Sequence, residues 1–324
     1  MPAHAKNLDE IEVAVLIPCY NEATTIAKVV SDFKKELPKA KIYVFDNNST
    51  DGSYDIAKNA GAIVRREYTQ GKGAVIRAMF SKIEADIYII ADGDDQCPAE
   101  SAIDLIAPIL DGKADISIGD RISNGTYAKE NKRRGHEFGN HLVRFLVNFI
   151  FNGDLKDIMT GYRAFNRKFV KNFPIMKDGF EIETEITLHA LHNRFKIAQI
   201  PIAVRDRPQG SVSSLNTYRD GIKILKIIFD LFRNYRPMMF FGSISFLFAL
   251  AGLLLGLPVI LEFIDQRYIT HVPLAILAAS IETIAIFLFM CALVMDSIVS
   301  LSKREYEWKL IQYETTQSRT NKLQ

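Results

Sequence analysis

The sequence has few cysteines and no excess of charge of either sign. Its three cysteines, Cys19, Cys97 and Cys291, are widely spaced and form neither a Cys-x-x-Cys pair nor a metal-ligand pattern. Lys and Arg number 40 against 38 Asp and Glu, which gives no support to a nucleic-acid partner, because such partners attract an excess of basic charge. We therefore expect a reduced, cytosol-facing main domain in which any basic function is local.

The amino-terminal residues lack an apolar segment. Residues 1–12 are polar and contain no hydrophobic run of the kind that a secretory signal requires. No internal repeat or low-complexity tract is visible in the rest of the chain. We therefore expect the chain to begin on the cytosolic side of a membrane.

Long hydrophobic runs occur only after Pro237. Residues 238–261 carry no charged side chain, and residues 272–295 carry only Glu282. Each run is long enough to cross a hydrocarbon core of ~30 Å, although two buried core helices would have a similar composition. We predict two transmembrane helices. Burying the Glu282 carboxylate in a membrane costs free energy, so we expect it to pair with a group on the other helix or on another protomer.

The charges around these runs predict their orientation. Basic residues lie before the first run and after the second, whereas the connector at 262–271 holds two acids and one Arg, so both flanks are expected in the cytosol. Residues 218–235 have apolar side chains at helical spacing with basic ones between them, which predicts an amphipathic interfacial helix or a helix docked on the main domain. The predicted organisation is a main cytosolic domain at 1–215, an amphipathic helix at 216–237, a transmembrane hairpin at 238–299 and a cytosolic tail at 300–324.

The main domain shows the pattern of an α/β fold. Short apolar runs alternate with helix-period stretches, as in repeated βα units over a mainly parallel sheet with helices on both faces. The predicted strands lie at about 13–17, 42–45, 62–64, 87–91, 116–118 and 197–204. The predicted helices lie at about 23–36, 53–59, 73–83, 100–110, 140–151, 168–173 and 183–192.

A cluster of carboxylates directly follows one of the predicted strands. Residues 92–96 read DGDDQ after the apolar run that ends at Ala91. Ligands bind at the carboxyl ends of strands in open α/β sheets, and oxygen donors suit Mg²⁺ or Mn²⁺. Such an ion neutralises the charge that grows on a leaving diphosphate. A solvated acidic turn is the alternative when the motif is taken alone.

Two further polar segments fall at the same sheet edge. They read PCYNE at 18–22 and DNNSTDGS at 46–53. With DGDDQ in this order, residues 12–215 resemble the family 2 glycosyltransferases, whose catalytic domain has the Rossmann-like GT-A fold. The resemblance implies that Pro18, Tyr20 and Glu22 line the base and ribose and that Asp46 contacts the nucleoside. It also implies nucleotide contacts for Lys72 in the GKG turn at 71–73, for Asp92 and for Arg207, whose loop at 207–213 would close over the diphosphate; Ser214 stands where many members carry Lys.

Within that family the sequence is most similar to polyprenyl-phosphate glycosyltransferases of the dolichyl-phosphate mannose synthase and bacterial bactoprenyl glucosyltransferase type. This similarity implies Asp92, Asp94 and Gln96 as ligands of Mg²⁺ or Mn²⁺. It implies catalytic roles for Asp94 and for Asp157 in the DIMTGYRAF motif at 157–165. A phosphate acceptor is already ionised at neutral pH, so Asp157 need not act as a general base and could orient the reaction instead; a turn cap is the alternative.

An anionic acceptor requires cations beside the donor sugar. The candidates are Arg121, one of Arg133 and Arg134, and Arg163, because a guanidinium binds phosphate through a bidentate fork. A solvated basic surface is the alternative for this set. The sequence of 129–136 does not show which of Arg133 and Arg134 would meet the acceptor phosphate.

The expected function is inverting transfer of a sugar from UDP-glucose or UDP-N-acetylglucosamine to undecaprenyl phosphate, at the cytosolic face of a bacterial plasma membrane, for cell-envelope glycan modification. A GDP-mannose-dependent dolichyl- or polyprenyl-phosphate mannose synthase is the alternative. A processive polysaccharide synthase is disfavoured because Trp308, the single tryptophan, is not in a Gln-x-x-Arg-Trp motif. A non-catalytic adaptor is disfavoured by the intact acidic motifs. The expected partners are the nucleotide sugar, the lipid phosphate, the membrane and further copies in a homo-oligomer.

Overall fold

The computed structural model describes residues 11–123, 134–151, 153–179, 181–203, 205, 226, 229–230 and 232–323. The chain divides into two compact units, Met1–Thr217 and Tyr218–Gln324. The first unit holds a β-sheet with helices, and the second holds two long helices.

Seven strands in the described part of the first unit form one sheet in the order β3-β2-β1-β4-β6-β5-β7. Their bounds are β1 Val13–Cys19, β2 Lys41–Asp46, β3 Ile63–Arg66, β4 Ile87–Ile90, β5 Ile116–Asp120, β6 Arg163–Asn166 and β7 Ile197–Pro201. Strand β6 pairs antiparallel with β4 and with β5, and the other pairings are parallel. The expected mainly parallel α/β sheet is confirmed.

Strand β6 is the element that the sequence pattern did not predict. It is four residues long and starts with Arg163, so it has neither the length nor the apolar run that marks a buried strand. Its register places Arg163 opposite Ile90 of β4 on one side and Ile118 of β5 on the other. The loop that precedes β6 therefore ends at the edge of the sheet where β4 and β5 also end.

The helices of the first unit cover the sheet. They are α1 Ile26–Glu36, α2 Ser53–Asn59, α3 Lys72–Lys82, α4 Ala102–Leu110, α5 Arg134–Phe151, α6 Arg167–Asn172 and α7 Ile182–His192, with a 3₁₀ turn at Ala99–Ser101. In α1 the side chains of Ile26, Val29, Val30 and Phe33 are buried, which is one face of a helix with 3.6 residues per turn. Each fully buried apolar side chain of this kind contributes roughly 1.5–3 kcal/mol.

The order of the strands creates a crevice at the carboxyl edge of the sheet. From β1 the chain moves outward through β2 to β3 and then returns to β4 on the other side of β1. This reversal is a topological switch point, and ligands of open α/β sheets bind outside the strand ends there. The segments after β1, β2 and β4 are those that carry the PCYNE, DNNSTDGS and DGDDQ motifs.

The second unit contains α8 Pro237–Gln266 and α9 Val272–Leu323, and both are long and apolar enough to cross a membrane. Ser245, Gly252 and Val259 of α8 are buried, as are Ala278, Ala285 and Ala292 of α9. The Ser245 hydroxyl donates to the Ala285 carbonyl at 2.7 Å. Small residues every seventh position thus let the two backbones approach closely.

Glu282 lies inside this helix pair. A Cβ atom added at Gly252 would lie 2.7 Å from Glu282 Oε1, so the glycine provides the space that the carboxyl group occupies. Helix α9 continues beyond the apolar run through the charged tail, where Glu305 and Lys309 form an i,i+4 pair at 2.9 Å. Of the predicted amphipathic pattern at 218–235, the described residues 226, 229–230 and 232–235 are helical, and the other positions of 218–235 lie outside the described residues.

Candidate active site

The loops after β1 and β2 are joined by short hydrogen bonds. The amide of Asn21 donates to Ser49 Oγ at 2.9 Å, and Asn21 Oδ1 accepts the amide of Thr50 at 2.9 Å. The amide of Glu22 donates to Ser53 Oγ at 2.8 Å. Asn21 has a φ of 56°, a left-handed conformation that Asn tolerates better than most residues. The two motif segments therefore form one ordered wall at the sheet edge.

Three of the residues expected at the nucleotide lie on this wall. Pro18 and Glu22 are half-buried, and the ring of Tyr20 is 52% exposed. The carboxyl stem of Glu22 faces the acidic turn, because a Cβ atom on Gly93 would lie 3.5 Å from Glu22 Cγ. The structure thus brings the PCYNE segment against the DGDDQ turn.

Asp46, at the end of β2, is fully buried. Its Oδ2 accepts the amide of Ser49 at 3.3 Å and lies 3.7 Å from Arg66 Nε. Its Oδ1 has no hydrogen-bond partner within the described part of the chain. A buried carboxylate oxygen without a donor is costly, so the N–H of a bound ligand would stabilise it.

The acidic turn is fixed by hydrogen bonds and ion pairs on both its backbone and its side chains. The Thr25 hydroxyl donates to the carbonyl of Gly93 at 2.7 Å, and Asp94 Oδ1 accepts the amide of Gln96 at 3.2 Å. Asp95 has a φ of 62°, and its carboxylate lies 2.8 Å from Lys28 and 2.9 Å from Arg205. Sequence reasoning gave Asp95 no role; its ion pairs hold the turn in a conformation that non-glycine residues rarely adopt.

Lys72 lies behind the acidic turn rather than in open solvent. Its Nζ is 2.6 Å from Asp92 Oδ1 and 2.6 Å from Glu183 Oε1. Burial lowers the pKa of Lys72, but the carboxylates of Asp92 and Glu183 raise it more, so the net shift is upward. Lys72 was expected at the nucleotide, and the structure shows it bound to two carboxylates of the protein itself.

Glu183 was not identified from the sequence. It lies in the first turn of α7, where an acidic residue is commonly explained by the helix dipole alone. Lys72 and Glu183 are separated by 111 positions, so only the folded chain shows that they meet.

Arg121 and Asp157 form a second charged pair of the site. Arg121 Nε lies 2.7 Å from Asp157 Oδ2, and Nη2 lies 3.1 Å from Oδ1. The backbone amides of Arg121 and Met159 donate to the same two oxygens. Asp157 is only 3% exposed, whereas the Arg121 side chain is 23% exposed.

The loop between Asp157 and β6 joins this pair to the acidic turn. A Cβ atom on Gly161 would lie 2.5 Å from Asp92 Oδ2 and 2.9 Å from Lys72 Nζ. One end of the loop therefore holds Arg121 through Asp157, and the other end packs on Asp92. The five positions 157–161 thus link Arg121, predicted for the acceptor, to Asp92, predicted for the donor.

Arg163 does not reach an accessible surface. It is 1% exposed, and its guanidinium donates to the carbonyls of Thr160 and Ile158 and to Thr187 Oγ1. Burial lowers the pKa of Arg163 to about 10, against the opposing effect of the Glu183 and Asp157 carboxylates. These bonds make Arg163 a brace for the loop at 157–162, and the acceptor contact expected of it stays a prediction.

The side chains of three other candidate residues lie outside the described part of the chain. The backbone of Arg134 begins α5, but its side chain lies outside the described residues, as do Arg133 and Arg207 entirely.

Comparison with known proteins decides the family. Residues 14–173 match the family model described as Glycosyl transferase family 2. The glycosyltransferase AglJ of Haloferax volcanii is 33% identical over 297 residues, which cover 90% of this chain and 95% of AglJ. The chain belongs to glycosyl transferase family 2.

This family 2 glycosyltransferase is also similar to a second curated protein and to a solved structure. A dolichyl-phosphate hexose transferase of Haloferax volcanii is 27% identical, covering 67% of this chain and 92% of that protein. The crystal structure of glucosyl-3-phosphoglycerate synthase from Mycobacterium tuberculosis, in complex with Mn²⁺, UDP and glucosyl-3-phosphoglycerate, superposes with a TM-score of 0.56 at 21% identity. That similarity covers 69% of this chain and 81% of the synthase and confirms the GT-A fold.

The acidic turn of this family 2 glycosyltransferase suits a hard divalent cation. Asp92, Asp94 and Gln96 offer only oxygen donors, which Mg²⁺ and Mn²⁺ prefer. Among the described residues no group of three or more His, Cys, Asp or Glu side chains is arranged to hold a metal. Such ions commonly bind one or two carboxylates together with substrate phosphates, and the donor set fits that mode.

Proposed function

We propose that this family 2 glycosyltransferase transfers a sugar from a nucleotide diphosphate sugar to a polyprenyl phosphate at a membrane surface. The observation that carries the proposal is the loop at 157–162, which holds an arginine for an anionic acceptor at one end and packs on the acidic turn at the other. Two helices that could cross a membrane follow in the same chain. A similar protein is named a dolichyl-phosphate hexose transferase, which supports a lipid-phosphate acceptor.

The donor half of the site consists of the wall formed by 18–22 and 46–53, which includes Asp46, and of the acidic turn at 92–96. We propose that Asp46 contacts the nucleoside: its covered, unpaired Oδ1 would accept a ring N–H, which both uracil and guanine offer, once side chains over it move on binding. Asp92, Asp94 and Gln96 would hold the divalent cation, which when bound neutralises charge on the leaving diphosphate. UDP-glucose and UDP-N-acetylglucosamine are the donors that we propose, and the Mn²⁺ and UDP in the structurally similar synthase support that choice.

The acceptor half centres on Arg121. A phosphate monoester is ionised at neutral pH, so its oxygen attacks the anomeric carbon, the bond to the diphosphate breaks, and no proton has to be removed. The Asp157 carboxylate already accepts hydrogen bonds on both oxygens, so its role is to orient Arg121 rather than to act as a base. Attack opposite to the leaving group inverts the configuration of the sugar.

The membrane setting follows from the same chain. Basic residues flank the two helices, so we propose that the catalytic unit faces the cytosol. A bacterial plasma membrane with undecaprenyl phosphate as the acceptor is the setting that we propose. The acceptor phosphate then lies at the headgroup level of the membrane that the two helices cross.

A transfer assay tests this function. The full chain in detergent is incubated with undecaprenyl phosphate, Mn²⁺ or Mg²⁺, and radiolabelled UDP-glucose, UDP-N-acetylglucosamine or GDP-mannose in separate reactions. We expect label from a UDP-sugar in the organic phase as a monosaccharide linked through phosphate. Matched reactions contain Asp94→Asn, which should be inactive, and Lys113→Gln, which alters an exposed pair with Asp111 and should be fully active.

The acceptor arm separates this function from its alternatives. Reactions with 3-phosphoglycerate in place of the lipid test a soluble phosphate acceptor. Transfer to 3-phosphoglycerate without transfer to polyprenyl phosphate would overturn the lipid assignment. A polymeric product would indicate a processive synthase, and label from GDP-mannose alone would replace the UDP-sugar donor with the mannose donor.

A further inference from the structure

Lys72 is held between two carboxylates in the interior of the site. Its side chain is 9% exposed, that of Glu183 is 14% exposed, and both of its contacts, to Asp92 and Glu183, are 2.6 Å long. The Asp92 side chain is 32% exposed, so screening is weak at the Lys72–Glu183 pair and stronger at the Lys72–Asp92 pair. The three groups therefore behave as one charged unit rather than as separate surface residues.

Each member of this unit comes from a different element. Asp92 follows β4, Lys72 begins α3, and Glu183 lies in the first turn of α7. The amide of Gly73 donates to the carbonyl of Asp178 at 2.8 Å, so the start of α3 is also tied to the segment before α7. The position of the Asp92 carboxylate thus depends, through Lys72, on where α3 and α7 lie.

We propose that Glu183 is a positioning residue that acts through Lys72 on Asp92 and thereby sets the affinity of the acidic turn for a divalent cation. This inference rests on the proposed function, because it takes Asp92 as a metal ligand. With Glu183 ionised, Lys72 divides its charge between two carboxylates, and the unit carries a net charge of minus one. Without Glu183 the whole charge of Lys72 acts on Asp92, and the unit becomes neutral.

Both consequences act in the same direction. A neutral unit attracts a cation less strongly, and an Asp92 carboxylate held by Lys72 alone is a poorer ligand. Groups that orient metal ligands from behind commonly change metal affinity by about 10- to 100-fold when they are removed. A Glu183 that served only as a helix-terminal charge would have no such effect, because its influence would stay within the first turn of α7.

The test measures metal binding without turnover. The full chain in detergent, with saturating UDP and no acceptor, is titrated with Mn²⁺ while the free ion is followed by electron paramagnetic resonance. We expect Glu183→Gln to raise the Kd for Mn²⁺ about tenfold. Glu183→Asp keeps the charge with a shorter arm and should recover most of that loss.

The matched control is Glu84→Gln. Glu84 also bridges two cations, Arg167 and Lys171, each at 2.7 Å, but it precedes β4 and so lies at the opposite edge of the sheet. We expect its Kd for Mn²⁺ to equal that of the parent chain. Thermal melting without metal shows whether each variant is folded at the titration temperature.

The outcomes distinguish a failure of the positioning role of Glu183 from a failure of the metal site. If the parent chain binds Mn²⁺ and Glu183→Gln binds it equally well, the positioning role is overturned while the metal site stands. The same holds if Glu183→Asp loses as much affinity as Glu183→Gln, because the role requires the charge. If Glu183→Gln does not fold, Glu183→Ala, which also removes the charge, is titrated in its place, and a Kd equal to that of the parent then overturns the positioning role. A parent chain that does not bind Mn²⁺ overturns the metal assignment of the proposed function itself.

Discussion

Arg121 and Asp157 meet in a two-point ion pair, with Nε 2.7 Å from Oδ2 and Nη2 3.1 Å from Oδ1. The fork geometry fixes the plane of the guanidinium, which a single contact would not do. Asp157 is buried and Arg121 is partly exposed, so the carboxylate supports the arginine from the protein side. This geometry supports an Asp157 that orients Arg121 rather than one that removes a proton.

Asp157→Asn should weaken use of the acceptor without removing a titrating base. The amide keeps the shape but loses the charge that holds Arg121, so we expect kcat/KM for the acceptor to fall about 100-fold. The loss should be the same from about pH 6 to pH 9, because the phosphate acceptor needs no proton removed. Steady-state kinetics with varied acceptor measures this.

The double variant Asp157→Asn with Arg121→Gln is the control for this pair. Two residues that act as one unit give non-additive losses, so the double variant should resemble the worse single variant. A loss confined to kcat, with a pH-dependent limb that disappears in Asp157→Asn, would instead identify Asp157 as a base.

Asp94→Asn should abolish metal-dependent transfer while the fold persists. Loss of one preorganised group that offsets developing charge costs about 100-fold or more in kcat. Thr25 still holds the turn through the Gly93 carbonyl, and the side-chain oxygen of the variant can still accept the Gln96 amide, so the melting temperature should change little. Turnover that retains its divalent dependence in this variant would remove the metal assignment.

Gly161→Ala should displace the Asp92 carboxylate. The added Cβ would lie 2.5 Å from Asp92 Oδ2 and 2.9 Å from Lys72 Nζ, so these side chains have to move. Overpacking of this kind costs about 1–3 kcal/mol, and we expect Mn²⁺ affinity and activity to fall together. Gly242→Ala, where no atom lies within 4 Å, is the matched control and should retain both. Equal Mn²⁺ affinity in the two variants would contradict the close packing of Gly161 on Asp92.

His189 should make the protein less stable in weak acid. Burial lowers the pKa of His189 to about 4 from 6.5, and nearby His192 adds to the effect. Between these values the unfolded chain binds a proton that the folded chain does not, so stability is complete above pH 6.5 and falls as the pH drops toward about 4. The difference corresponds to about 3 kcal/mol at the acid end.

Melting curves between about pH 7 and pH 4 measure this effect. His189→Leu replaces the ring among Phe169, Phe173 and Phe195 and should show a flatter dependence on pH than the parent. His271→Gln, at an exposed position of the connector, should keep the dependence of the parent. Identical slopes for His189→Leu and the parent would contradict the assignment.

Local patterns in the sequence determined much of this protein. Apolar runs of strand length predicted six of the seven strands within the described residues, because a buried parallel strand needs a continuous apolar segment. Strand ends then placed the 18–22, 46–53 and 92–96 segments at one edge, and uninterrupted apolar length predicted the two long C-terminal helices.

Only the tertiary structure decided how the charged residues are paired. Arg163 and Arg121 have the same side chain, yet one is enclosed by carbonyl groups and the other is partly exposed. Lys72 is bound by Asp92 and by Glu183, which is 111 positions away. Strand β6, too short to carry a periodic signal, enters between β4 and β5 and brings the loop at 157–162 to the acidic turn. Secondary structure follows from neighbours along the chain, whereas ion pairs depend on which distant segments the packed sheet brings together.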